Sequence, residues 1–205
     1  MLGFLDDEPV EQEQPLAIRT LSTLEASGAF EAALEFATTL PPRTRGLPQV
    51  RLRVARCASA LSLFPVAIEE FTAVMEISGG LPNIRHGLAA ALHGHGQHGR
   101  AAEVLAPVVR HSVEIADIGV LQARLLHERG ELEAASLLIA AVSQKHARRA
   151  DAWGVAAVIH QDRGAGDDAV DAASRALALD PAQADALRVH GRATQGASGF
   201  RRLAE

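Results

Sequence analysis

The sequence predicts an all-α protein: about five antiparallel helical hairpins in an array, with one further helix capping the C-terminal end. Three observations predict it. Small residues recur at a fixed offset of 34 along nearly the whole chain. Alanine and leucine dominate while β-branched residues form no alternating runs, which favours helix over strand. Proline and glycine fall where each unit should end.

The offset sets the register of every unit. Five alanines stand on it, Ala33, Ala67, Ala101, Ala135 and Ala169, and five residues before each comes Gly28, Ser62, Gly96, Gly130 or Gly164. A small residue in a turn and an alanine inside the next helix thus recur together. Twelve residues before each alanine stands Leu21, Ala55, Ala89, Ala123 or Ala157, and Gly191 continues that row. Two helices cross at the short end of the usual separation only where such side chains are small. Four residues after each alanine comes Ala37, Phe71, Leu105, Ile139 or Ala173, and three further on Leu40, Val74, Val108, Val142 or Ala176. That spacing places all three on one helical face.

Taken in chain order, residues 1–13 are acidic and aperiodic, which predicts a disordered lead. Repeats follow at about 14–47, 48–81, 82–115, 116–149 and 150–183, forming one array from 14 to 195, with hairpins over 14–40, 48–77, 82–111, 116–145 and 150–179. Pro41-Pro42 and Gly46-Leu47-Pro48 end the first unit, Gly79-Gly80-Leu81-Pro82 divides the second from the third, and Asp180-Pro181 ends the fifth. Pro107, inside the second helix of the third unit, removes one hydrogen bond and predicts a kink. Asp151 and Asp185 fall in first turns, where a carboxylate meets the positive end of the helix dipole. A helix over 184–195 covers the apolar face of the fifth unit, and 196–205 form a frayed tail.

The segment from Ala150 to Gln183 resembles a tetratricopeptide repeat. Trp153, Ala156-Ala157, His160, Ala169, Ala173, Ala176 and Pro181 stand at that family's spacings. Ala156, Ala157, His160 and Ala173 depart from its favoured residues, and the other units lack the tryptophan, although Phe71 matches the family's aromatic. The resemblance implies a right-handed α-solenoid whose first helices line a concave groove for an extended or helical peptide. Carried onto this register, the groove collects Arg19, Arg53, Arg56, His86, His93, Arg124, His127, Arg188 and Arg192, with Ile18, Leu52, Val120, Leu121, Val155 and Val158 as apolar neighbours. The expected function is that of an adaptor or scaffold holding a partner polypeptide, acidic and with hydrophobic anchors. Relatives that clamp the terminal carboxylate of chaperone tails carry lysine and asparagine where this chain has Ile18, Ser22, Arg53, Asn83 and Gly87, so that specificity is not expected.

Composition narrows the alternatives. A net charge of −5 argues against affinity for phosphate backbones, so no nucleic-acid partner is expected. The chain holds 48% hydrophobic residues, yet no run approaches the roughly 20 apolar residues of a membrane span. Met1–Glu8 is too short in apolar residues and too acidic for a secretory signal, and the single Cys57 suits a reducing compartment, so a cytoplasmic protein is expected. Self-association remains an alternative through the apolar Met1-Leu2-Gly3-Phe4-Leu5 or an exposed end of the array.

No enzyme is expected and no cofactor. Cys57 falls on a helix that the repeat already explains, and the acidic pairs Asp6-Asp7, Glu69-Glu70 and Asp167-Asp168 are adjacent and point apart. The densest polar tract is His93-Gly94-His95-Gly96-Gln97-His98-Gly99, whose imidazoles His93, His95 and His98 are the candidate metal ligands. The register gives the tract a plainer role as an interhelical turn.

Overall fold

The computed structural model describes residues 8–203, with side chains from 15 to 193. Among the described residues there are α-helices and one 3-10 segment and no strand. The chain divides into two compact units, Met1–Val104 and Leu105–Glu205. The division falls within the third predicted hairpin, next to Pro107.

The first unit runs α1 (Glu8–Ala26), α2 (Phe30–Thr39), α3 (Pro42–Arg45), α4 (Pro48–Ala60), α5 (Phe64–Ser78), α6 (Pro82–Gly94) and α7 (His98–Leu105). Helix α1 begins ahead of residue 14, so the lead expected over 1–13 is helical from Glu8, with Pro9 at a position that tolerates its missing N–H. Residues 1–7 lie outside the described residues. Prolines begin or nearly begin α3, α4, α5 and α6, and the single turn α3 sits within the link that Pro41-Pro42 predicts. Arg45 closes that link by donating to the carbonyls of Thr38 and Leu40. Helices α1 and α2 enclose Ala17, Leu21, Ala33, Ala37 and Leu40, together with Val50 and Cys57 of α4. Helix α5 packs on α6 through a contact that the 34-residue ladder does not register. The Phe71 ring lies where a side chain on Gly87 would be, 2.5 Å from an added Cβ, and the Phe64 ring covers Gly94 in the same way.

The second unit begins with the 3-10 segment Ala106–His111 and continues through α8 (Ala116–Glu128), α9 (Leu132–Lys145), α10 (Ala150–Asp162), α11 (Gly166–Leu179) and α12 (Ala184–Leu203). Pro107 does more than kink its helix: the α-helix stops at Leu105 and the chain tightens into the 3-10 turn. Helices α8 to α12 share one core of Ala123, Ala135, Ile139, Val142, Ala157 and their neighbours, with Trp153 half-buried against it. Helix α12 continues to Leu203, past the limit of 195 expected for the cap, because no proline interrupts it.

Every residue of the four helical rows within the five units is buried, and only Gly191, which continues the crossing row into α12, is half-buried. The crossing row Leu21, Ala55, Ala89, Ala123 and Ala157 is inaccessible to solvent, and the rows that begin at Ala33, Ala37 and Leu40 are nearly so. The turn row is equally regular. Gly28, Ser62, Gly96, Gly130 and Gly164 all adopt positive φ, and Ser62 is the only non-glycine among the described residues to do so. At each, the following N–H reaches back to a carbonyl five residues earlier, as from Ala29 to Leu24 at 2.9 Å and from Leu63 to Ala58 at 2.8 Å, closing the helix with a left-handed residue. Ser62 therefore bears strain that the four glycines avoid. Ser62→Gly is expected to stabilise the protein by about 0.5–1 kcal/mol, read as a higher denaturation midpoint. A lower midpoint would mean that the hydroxyl compensates for the strain.

Candidate functional site

The positions expected to form a basic stripe are occupied largely by ion pairs within each unit. In the first, Arg53 on α4 donates to Glu25 on α1 at 2.7 Å, and Arg56 lies 3.5 Å from the other oxygen of the same carboxylate. One acidic side chain, mostly shielded, thus meets two arginines one helical turn apart. Arg51 points the other way and holds Glu70 on α5 at 3.0 Å. Arg19, exposed on α1, forms no ion pair among the described residues. Leu52, His86 and His93 are half-buried.

In the second unit Asp185 is the counterpart of Glu25. It accepts from Arg124 of α8 at 2.5 Å and from Arg188 of its own helix at 2.9 Å. The sequence assigns Asp185 to the helix dipole; the structure makes it a link between α8 and α12. Burial alone would raise its carboxyl, but Arg124 and then Arg188 outweigh burial and hold it below the ordinary carboxylate value. Asp151, the other first-turn carboxylate, is likewise lowered by the hydrogen bonds it accepts from Arg149, which also reaches Asp117 at 2.7 Å. His127 pairs with Asp162 at 2.7 Å, and Arg163 grips Glu133 with two donors at 3.1 and 2.6 Å.

Three expected groove residues are corrected by packing. Val120 and Leu121 retain only 7% and 6% of their accessible surface and belong to the interior, as does Val155. Three or four residues per turn place some outward-register positions against a neighbouring helix, and apolar side chains go to that side. Arg192 stays exposed and donates to Gln161 at 3.5 Å. Beside this pair lies an open cavity of about 220 Å³ floored by Ala169 and Val189 and bordered by Gly166 at the start of α11.

Sequence reasoning did not identify Glu25 and Asp185 as counter-ions. Their signal was available only weakly: each stands within six residues of stripe arginines on a first helix, but pairing from α1 to α4 or from α8 to α12 depends on packing. Cys57 is fully buried, and burial, followed by the nearby Glu25, pushes its thiol above the ordinary value, which opposes nucleophilic use. No helix among the described residues is long and apolar enough to cross a membrane.

No family model and no curated protein matches the sequence. Solved structures do match. TTC0263, a thermophilic TPR protein of Thermus thermophilus, is 18% identical, with a TM-score of 0.70 over 89% of this chain and 99% of that one. YrrB, described as a TPR protein with an unusual peptide-binding site, is 18% identical, with a TM-score of 0.61 over 84% of this chain and 89% of its own. Human IFIT1, a dimer with m7Gppp-AAAA, is 12% identical and reaches a TM-score of 0.74, but this chain covers 48% of its length. At these identities the likeness establishes the fold.

Proposed function

From the premise that the chain folds as an all-α tetratricopeptide-type repeat, we propose that it is an adaptor or scaffold that holds a partner polypeptide and performs no chemistry of its own. The observation that carries the reading is the outward composition of α1 and α4, which pack on each other. Arg19 and Arg56 are exposed there beside half-buried Ile18 and Leu52. Guanidinium forks next to apolar shelves suit an acidic segment with hydrophobic anchors: the forks orient carboxylates while apolar burial supplies affinity. Glu25 refines the specificity. Its carboxylate already holds Arg53 closely, so Arg19 and the loosely held Arg56 are the cations offered to a partner. A cytoplasmic setting belongs to the same reading.

The test is capture from the native cell extract with intact protein and with an Arg19→Glu/Arg56→Glu variant of unchanged helicity. A polypeptide retained by the intact protein is expected to bind the variant at least ten times more weakly. If both baits retain the same polypeptides, this face is not the working surface. The second reading is self-association through exposed apolar side chains, among them Leu16 on α1, Ile77 on α5 and Leu137 on α9. A mass above that of one chain in light scattering, with no captured partner, would put that reading first.

A further inference from the structure

We infer that the turn joining α6 to α7 binds one divalent transition-metal ion through His93 and His98. The sequence explains this tract as a turn and carries His93 alone onto the groove register, while the face of α1 and α4 proposed above uses none of its imidazoles. The fold adds the geometry. His93 ends the last turn of α6 and His98 begins α7, five residues on. On a continuous helix that spacing would separate two side chains by about 140° at 100° per residue. Here Gly96, at φ +78°, reverses the chain. Its N–H donates to the His93 carbonyl at 2.9 Å, and the Gln97 N–H donates to Leu92 at 2.8 Å. The reversal sets the two rings edge to face, with centroids 5.2 Å apart and planes at 73°. Nitrogens of the two rings lie within 4.8 Å of each other.

Two imidazoles on a tetrahedral ion at ordinary metal–nitrogen distances place their nitrogens about 3.3 Å apart. Rotation of two side chains on a surface turn, one half-buried and one exposed, closes the remaining gap without moving a helix. The donor type selects the ion. Neutral imidazole suits zinc, copper and nickel and is poor for magnesium or calcium. His95, exposed at the C-cap of α6, stands outside the pair, so the coordination sphere is completed by water or by donors from outside the turn.

The experiment uses the full chain without a histidine tag, stripped of metal and titrated with zinc against a chromophoric chelator. One zinc per chain is expected. His93→Ala and His98→Ala should each weaken binding at least tenfold, while His111→Ala should leave it unchanged. Gly96→Ala keeps both imidazoles but opposes the left-handed turn, and it should weaken binding severalfold. Circular dichroism on each variant separates lost ligands from lost helices. Uptake well below one equivalent by the parent overturns the inference. So does parent-like affinity in either His93→Ala or His98→Ala, or in a Gly96→Ala variant. The result is independent of whether any polypeptide partner is found.

Discussion

Gly119→Ala is expected to destabilise the second unit by about 3 kcal/mol, the upper end for overpacking, and to lower its melting temperature by about 10–20 °C. A Cβ at Gly119, on the first turn of α8, would overlap the Ser112 carbonyl and a Val142 methyl. The carbonyl decides the size of the effect. Val142 could rotate, but Ser112 belongs to the backbone and is buried, with its hydroxyl donating to Val109 at 2.5 Å. Relief therefore requires α8 to shift away from α9 and the segment before it. Gly130→Ala is the informative contrast. Nothing lies within 4 Å of its added Cβ, and its cost comes only from φ +77°, about 1 kcal/mol. Equal losses in the two variants would show that close approach at Gly119 is not the controlling contact.

Asp185→Asn should cost about 1–2 kcal/mol at neutral pH, discounted because both guanidinium partners remain partly exposed. The substitution leaves Arg124 and Arg188 facing a neutral amide and removes a charge-assisted link between α8 and α12. The cost should depend on pH in one direction. The folded-state pKa of Asp185 is lowered, so its stabilisation is complete above the ordinary carboxylate value of about 4 and disappears as pH falls through the folded value. Melting temperatures of the parent and the variant should differ at pH 7 and converge toward pH 2. A gap that persists undiminished at pH 2 would mean that shape, rather than charge, gives Asp185 its role.

How far the site was legible follows from the range of each interaction. Arg53, Arg56, Arg124 and His127 entered the candidate site through the resemblance carried onto the 34-residue register, and in the structure Arg56 is exposed while the other three are half-buried. Their carboxylate partners did not enter it, since Glu25 lies 28 residues from Arg53 and Asp185 lies 61 from Arg124. Val120 and Leu121 show the opposite failure: their register positions faced outward in the inherited pattern, while hydrophobicity and a neighbouring helix turned them in.

What the sequence by itself determined is the repeat: where a small residue opens each turn, and which small residues lie at the helix crossings. These are local consequences of steric size and helical period, and they recur at every unit. Tertiary structure alone decided which glycines are contact surfaces, as Gly87 beneath Phe71 and Gly119 against Ser112, and which charges neutralise each other. It also decided that His93 and His98 meet. Those outcomes depend on distances between separate helices, and a period in the chain does not contain them.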